Sequence, residues 1–375
     1  LINRVYKGEK NMDGRILYVT FVDMDKNMKT ASSVRPQKIY HAFQDMGVEV
    51  KLLSGPDNQY KDRKENVKDI MAWLEKNRPK MCYIEPPSGP FLCPYDLKLL
   101  KILKKKEIPI SIFYRDAYWK FPYMGIQKMH ILNKLKQRVV YYMQKRDWKV
   151  IEKTCSRIYF PSVSLAEYFV HDNISILPPG CELIDIVDTR NKEDEIPTAI
   201  YVGGVTERYG AYLLLDAFSK MNESRTYVKL NIICPKEQWE CLPLEYQKCK
   251  LKGWLKVNHI SGKENLKELY QKSDFAVLPL KKNDYNDVAV PVKLFEYVSH
   301  LKPIISTNCD EMAQIVRENN VGLVVDDNPE QLIEGISKLL NDNDQFQEYK
   351  KNCKLMRENN TWNKRVETIM QDAYQ

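Results

Sequence analysis

The run Gly14-Arg15-Ile16-Leu17-Tyr18-Val19-Thr20-Phe21-Val22, bounded by Asp13 and Asp23, is apolar almost without interruption. A strand with one wet face alternates apolar and polar residues, whereas a strand covered on both faces, as in a parallel sheet, reads as a continuous apolar run. A helix is predicted from about Ser33, with Tyr40, Phe43 and Met46 inward; Gly47 stops it, and a second strand follows over 48–53. That is one βαβ unit. The alternation continues with a helix near 66–77, a strand over 81–85, a helix over 94–106, a strand over 108–114, a long helix from about Ile126, and strands over 157–160 and 174–178. Strand and helix repeating at this spacing imply a doubly wound parallel sheet.

Pro178-Pro179-Gly180 ends the series, and the charged stretch 182–197 has neither strand nor helix period. A second series follows, with strands over 198–203, 227–233, 257–260, 275–280, 303–306 and 322–325, and final helices near 344–358 and 362–373. The α/β class therefore comes with two Rossmann-like domains facing across a cleft. The expected division is 1–185, a linker over 186–197, 198–345, and C-terminal helices over 346–375 packing back toward the first domain.

With 43% hydrophobic and 29% charged residues in 375, the composition is that of a globular protein large enough for two cores. Nine cysteines without a C-x-x-C pair fit free thiols in a reducing compartment, with no disulfide framework or zinc site. No run of 18 apolar residues occurs, and the first residues lack the order of a signal peptide, so a cytoplasmic protein is expected. The net charge of +8 lies in the first half. Residues 1–197 hold 34 Lys/Arg against 25 Asp/Glu, and 98–153 alone hold 15 against 4. Such a concentration points to an anionic partner.

Ligands in open α/β sheets bind beyond the carboxyl ends of the strands, so the loops there carry the functional reading. In Val290-Pro291-Val292-Lys293-Leu294-Phe295-Glu296-Tyr297, Pro291 opens a helix. The first-turn amides suit a diphosphate, and Glu296 stands where a ribose diol can reach it; the plain reading is an ordinary βα loop with a solvated glutamate. In Tyr201-Val202-Gly203-Gly204-Val205-Thr206-Glu207-Arg208 the paired glycines let backbone approach a phosphate and Arg208 neutralises it, although alone the pair is equally a turn. Ile260-Ser261-Gly262-Lys263 offers backbone groups to a base edge or simply enters a helix.

In the first domain, Ile112-Phe113-Tyr114-Arg115-Asp116-Ala117-Tyr118-Trp119 ends a strand with an Arg-Asp pair among aromatics, either a grip on a sugar ring and its hydroxyls or a local salt bridge. Arg35, in Ser32-Ser33-Val34-Arg35, touches a donor phosphate or an acceptor, or belongs to a plain N-cap. The helix over 126–153 spaces Met129, Leu132, Leu135, Val139 and Tyr142 by three and four, with Lys134, Arg138, Lys145 and Lys149 on another face. This suits an anionic membrane surface; the bland alternative is a solvated face over a core stripe. Asp23-Met24-Asp25 matches a metal-binding D-x-D pattern but lies far from the nucleotide loops, and the five histidines show no ligand spacing.

Taken together these motifs resemble the GT-B glycosyltransferases of the family 4 type, over most of the chain. The resemblance runs from the first strand and Arg35 through 162–168, Leu177-Pro178-Pro179-Gly180, 201–218, 257–280, the helix start at 291–297 and the 303–306 strand to Trp362. It implies a nucleotide-sugar donor, UDP- or GDP-linked, in the second domain and an acceptor in the first. It further implies transfer with retention and neither cofactor nor metal, the departing diphosphate being stabilised by amides and basic side chains. Glu296 matches the family's ribose-binding glutamate, Gly203 and Gly204 its phosphate-side turn, and Asp116 a position near the reacting sugar.

Departures are visible. The family's first glutamate, eight residues before Glu296, is Val288 here, which leaves Asn286 or Asp287 to contact the sugar hydroxyls. Gly204 and Tyr209 stand where an arginine and a lysine are usual, so Arg208 and Lys293 take over the positive charge. The expected catalytic set is Asp116, Arg208 and Lys293, with Gly203, Gly204, Ser261, Asp287, Pro291 and Glu296 on the donor and Arg35, Arg115 and Trp119 on the acceptor or phosphate side. The expected partner is a glycan or lipid-linked acceptor at the inner face of the plasma membrane, not nucleic acid. The alternatives are a catalytically inactive GT-B partner and a nicotinamide-dependent dehydrogenase; the latter lacks its glycine fingerprint.

Overall fold

A computed structural model describes residues 14–24, 31–121, 131–186, 196–260 and 263–373. The chain forms two compact units, 1–178 with 362–375, and 179–361.

The first unit runs β1 (Ile16–Thr20), α1 (Ala31–Asp45), β2 (Val50–Leu53), α2 (Tyr60–Trp73), β3 (Cys82–Glu85), α3 (Pro94–Lys105), β4 (Ile110–Phe113), α4 (Ile131–Thr154), β5 (Arg157–Phe160), α5 (Val163–Ala166) and β6 (Ile174–Ile176). The strands pair in parallel in the order β2-β1-β3-β4-β5-β6. Every residue of β1 is buried, as its unbroken apolar run requires. Gly47, at φ +74°, ends α1 in the left-handed region that a side chain would resist. Helix α2 begins six residues before the expected start, because one of its inward residues is Arg63, 1% exposed. The Arg63 guanidinium donates to Asp96 at 2.8 Å and to the carbonyls of Thr20 and Gly55 at 2.9 and 3.0 Å, and lies over the Phe21 ring.

The second unit runs β7 (Thr198–Val202), α6 (Ala211–Met221), β8 (Lys229–Ile233), α7 (Lys236–Glu240), α8 (Leu244–Lys248), β9 (Leu255–Asn258), α9 (Lys263–Gln271), β10 (Phe275–Leu278), α10 (Asp284–Val288), α11 (Val292–Ser299), β11 (Ile304–Thr307), α12 (Asp310–Glu318), β12 (Gly322–Val325), α13 (Pro329–Asn341) and α14 (Asn343–Asn359). Its parallel sheet is ordered β12-β11-β10-β7-β8-β9. Two buried apolar clusters belong to this sheet, one around Phe218, Trp239 and Trp254, the other around Tyr270, Phe295 and Tyr297.

Unit boundaries differ from those expected. Residues 181–186 already belong to the second unit, since Cys181 bridges to Thr361, the Glu182 N–H donates to Ser299, and Arg357 donates to the Ile184 carbonyl. Of the two final helices, α14 stays with the second unit and only α15 (Trp362–Ala373) joins the first. There Trp362, Val366 and Ile369 are buried with Ile39 and Phe43 of α1, and Asp372 accepts the Tyr159 hydroxyl at 2.8 Å. The boundaries expected at 185 and 346 therefore move to 178 and 362.

Each sheet has one place where successive connections leave in opposite directions: between β1 and β3 in the first unit, and between β7 and β10 in the second. Ligand crevices of open α/β sheets open at such points.

Candidate active site

In the second unit the loops after β7 and β10 meet at this switch. Gly210, at φ +73°, makes the approach possible: a Cβ there would lie 1.5 Å from the Pro279 carbonyl oxygen. The turn at Gly203-Gly204 is also tightly packed. Its Gly204 carbonyl accepts the Tyr201 hydroxyl at 2.6 Å, and a Cβ on Gly204 would stand 2.8 Å from the Tyr209 ring and 2.9 Å from Gln238 Oε1. Helix α11 is fixed beside this turn by a long-range bond, the Val202 N–H donating to Tyr297 Oη at 2.9 Å.

Glu296 lies on α11 with about a quarter of its side chain exposed. Its Oε2 accepts from Lys293 Nζ at 2.5 Å and its Oε1 from Tyr270 Oη at 2.8 Å. Burial alone would raise the carboxyl pKa, but the Lys293 ammonium and both hydrogen bonds outweigh it and hold Glu296 below the usual carboxylate range. His300 stacks on the Tyr270 ring at 3.8 Å and 14°. Burial pushes its pKa down to about 4, against the opposing pull of Glu296, so the imidazole is neutral at pH 7. Pro291 is the residue before the helix rather than its first residue; α11 begins at Val292, and of its first-turn amides Leu294 N–H donates to the Pro291 carbonyl at 3.1 Å, while those of Val292 and Lys293 have no acceptor within the helix.

Arg208 is half-buried, its Nε 3.3 Å from Asn286 Oδ1 and its guanidinium 4.7 Å from the Tyr285 ring centroid. Asn286 is 2% exposed, and its amide nitrogen donates to the Lys281 and Arg208 carbonyls at 2.7 and 3.3 Å. It holds Arg208 in place, which corrects the expectation that it is free to meet a sugar. Asp287 Oδ1 accepts from Lys282 Nζ at 2.9 Å and from the Asp310 N–H at the start of α12. Partial burial lowers the Lys282 pKa, but its bonds to Asp287 and Asp310 prevail and push it up to about 12. Val288 is buried and does not replace the absent glutamate. Ser261 lies outside the described residues.

In the first unit Arg115 and Asp116 form an ion pair at 3.2 Å, each side chain less than a fifth exposed. They line a shallow recess with Pro86, Gly89, Gln144 and Asp147. Burial raises the Asp147 pKa against the opposing pull of Arg146 and the Phe91 N–H. Two expected acceptor-side residues lie in the interior. Arg35, 2% exposed, donates to Glu85 Oε1 at 3.0 Å and stacks 3.4 Å from the Phe113 centroid. Trp119 is 8% exposed, donates to Tyr114 Oη at 2.8 Å, and packs edge-on against Tyr141 and Phe169. Both are corrected to framework residues.

Sequence reasoning missed Tyr270, Lys282, Gln144 and Asp147. Tyr270 sits in an apolar stripe with Leu266 and Leu269, and nothing in that stripe signals where its hydroxyl goes. The expected helix over 126–153 is observed as α4; Met129 lies outside the described residues and the Leu132 side chain is likewise not described. Leu135, Val139 and Tyr142 are exposed rather than packed in a core. Among the described residues no group of three or more His, Cys, Asp or Glu side chains is placed to hold a metal ion, and no helix is long and apolar enough to cross a membrane.

No curated protein matches the chain. Among solved structures, sucrose-phosphate synthase from Thermosynechococcus elongatus aligns with a TM-score of 0.68 at 13% identity, over 95% of this chain and 98% of that one. WaaG, a glycosyltransferase involved in lipopolysaccharide biosynthesis, aligns with a TM-score of 0.66 at 14% identity, over 95% and 99%. HepE of Anabaena in complex with UDP aligns with a TM-score of 0.59 at 9% identity, over 96% and 99%. These likenesses establish the GT-B fold, and the match of residues 196–342 to the family described as "Glycosyl transferases group 1" identifies the second unit as carrying a glycosyltransferase group 1 domain.

Proposed function

We propose that the protein transfers one sugar, with retention, from a nucleoside diphosphate sugar held by the second unit to a lipid-linked or polysaccharide-type acceptor held by the first. The observation that carries this reading is Glu296: a half-buried carboxylate with a depressed pKa, on a helix bonded through Tyr297 to the end of β7, next to the Gly203-Gly204 turn. A ribose diol donates to Glu296. The diphosphate meets the first-turn amides of α11, the glycine backbone and Arg208, which together offset the charge that develops on the leaving group. Lys293, now on Glu296, adds a cation at the same helix start. Asp116 positions the reacting groups at the acceptor, and Asp287, partly exposed, is the carboxylate adjacent to the missing family position. The acceptor serves cell-surface glycan synthesis, on the cytoplasmic side.

The test is thermal stability against a panel of nucleoside diphosphates and nucleotide sugars. A ligand at 100 times its dissociation constant adds about 2.7 kcal/mol. One nucleotide class is expected to stabilise the wild type and not Glu296→Ala; stabilisation of neither would overturn the donor grip.

A second reading, an inactive partner that binds without turnover, is favoured by one observation. The two polar residues nearest the missing glutamate are already engaged, Asn286 with Arg208 and Asp287 with Lys282. Donor hydrolysis or transfer by the pure protein rejects it.

A further inference from the structure

We propose that the seam between α2 and α3, centred on Tyr95, binds an acidic glycan, a sugar chain carrying carboxylate or phosphate groups. The step rests on the transferase reading and names its acceptor class: the end of the chain enters the Arg115–Asp116 recess while the preceding sugars lie along this seam.

Three ammonium groups surround one ring. Lys64 Nζ and Lys68 Nζ of α2 lie 5.2 and 5.9 Å from the Tyr95 centroid, and Lys98 Nζ of α3 lies 5.9 Å from it. Among the described residues none of these three lysines forms an ion pair. Lys64 and Lys68 stand four apart on one helix, a like-charge spacing that destabilises an isolated helix. The charges of α2 are also sorted. At 100° per residue Lys61, Lys64 and Lys68 fall within about a 60° arc on the Tyr95 side, and Asp62, Glu65 and Asp69 within another, about 100° further round. Helix α3 adds Lys98, Lys101, Lys104 and Lys105, whereas its one carboxylate, Asp96, is buried against Arg63. Carboxylates are at hand in the sequence and are turned away from the seam. Cations gathered without internal partners call for an anion from outside.

The seam also points to the kind of anion. An aromatic ring among ammonium groups suits a ligand that offers an apolar face and a negative charge side by side, as a pyranose bearing a carboxylate or phosphate does. Tyr95 is half-buried between the helices, which favours a narrow chain over a flat bilayer. Its place in the fold agrees. Tyr95 is in the first turn of α3, at the carboxyl edge of the sheet, and the loop that leads to it supplies Pro86, Pro87, Gly89 and Phe91 to the Arg115–Asp116 recess. That loop is pinned by the Phe91 and Leu92 N–H groups, which donate to Asp147 and Asp57 at 2.8 and 3.0 Å. Four residues separate Phe91 from Tyr95, at most about 14 Å of chain, so one glycan can occupy both places.

The test is isothermal titration of the full chain with an oligogalacturonate, against a neutral malto-oligosaccharide of the same length, at low and high salt. Binding of the acidic chain alone, weakened by salt, is expected. Lys64→Gln/Lys68→Gln/Lys98→Gln should weaken it about tenfold, each exposed ion pair contributing roughly a factor of two. Lys248→Gln/Lys252→Gln/Lys338→Gln, which removes the same charge from exposed sites of the second unit, should not. Tyr95→Leu keeps every charge and should weaken oligogalacturonate more than inorganic polyphosphate, which has no ring to stack. No binding of oligogalacturonate, equal loss in the two triple variants, or wild-type affinity in Tyr95→Leu overturns the proposal. So does binding of duplex DNA or phosphatidylglycerol vesicles through these lysines while oligogalacturonate stays unbound. Stabilisation by nucleotide is expected to persist in every one of these variants, so failure of the glycan seam and failure of the donor grip are read separately.

Discussion

Replacing Tyr270 with Phe removes one oxygen and leaves the ring stacked on His300, so it isolates the hydroxyl that reaches Glu296 Oε1 at 2.8 Å. A hydrogen bond to a charged group contributes about 1.5–3 kcal/mol when buried. Glu296 is about a quarter exposed and keeps Lys293, so water and the ammonium recover part of the loss. The loss should therefore fall at the low end, about 1–1.5 kcal/mol, or roughly five- to tenfold in nucleotide dissociation constant.

The pH dependence supplies an independent readout. Glu296 has a depressed pKa, so its contribution is present above the ordinary carboxylate range and is lost as pH falls through the folded value. Loss of the Tyr270 donor raises that folded value. Nucleotide binding by Tyr270→Phe should then weaken at a higher pH than binding by the wild type. Isothermal titration across the acid range measures both effects. An unchanged dissociation constant together with an unchanged acid limb would refute the assignment of Glu296 as the ribose ligand held by Tyr270.

Asp116→Asn should abolish sugar transfer while nucleotide stabilisation stays within error of the wild type; normal turnover removes Asp116 from the mechanism. Gly210→Ala must relieve both a φ of +73° and a contact 1.5 Å from the Pro279 oxygen, and should cost at least about 2 kcal/mol in urea denaturation. Arg63→Met leaves Asp96 buried without its guanidinium and should cost about 3–5 kcal/mol, whereas adding Asp96→Leu should restore part of that stability. A double variant no more stable than the single would argue against the pair.

The alternation of apolar runs and helical periods gave both sheets because buried parallel strands leave a mark that needs no tertiary information: Ile16–Thr20 can hardly be anything else. What periodicity cannot register is a charged residue facing inward. Arg63 falls on the inward stripe of α2 with Val67 and Ile70, and α2 starts six residues before the position that its apolar period alone indicates. Arg35 was expected to touch a donor phosphate or an acceptor, or to belong to an N-cap, whereas its charge is met by Glu85, fifty residues away. The Gly203-Gly204 turn and the helix start near Pro291 and Glu296 were legible because backbone turns and helix starts are local features. The Tyr270 hydroxyl, and the contact between Asn286 and Arg208 across 78 positions, were not, since each depends on which strands become neighbours.

The same distinction separates the two switch points. In the second unit the loops beyond β7 and β10 carry glycine backbone and half-exposed polar groups. In the first unit the equivalent place is filled by protein. Arg63 Nη1 donates to the carbonyl of Thr20 at the end of β1, and Arg35 pairs with Glu85 at the end of β3, opposite Thr20 in register. Two buried guanidinium groups thus occupy the ground where a ligand's phosphate would otherwise meet the strand ends. The accessible polar surface moves one loop along, to the Arg115–Asp116 recess beyond β4, and there it adjoins α4, whose other face carries the exposed apolar stripe. Opening the plug by Arg35→Ala should therefore destabilise the first unit without creating nucleotide binding there. Nucleotide stabilisation that survives Glu296→Ala in the Arg35→Ala background would show that the crevice had only been masked.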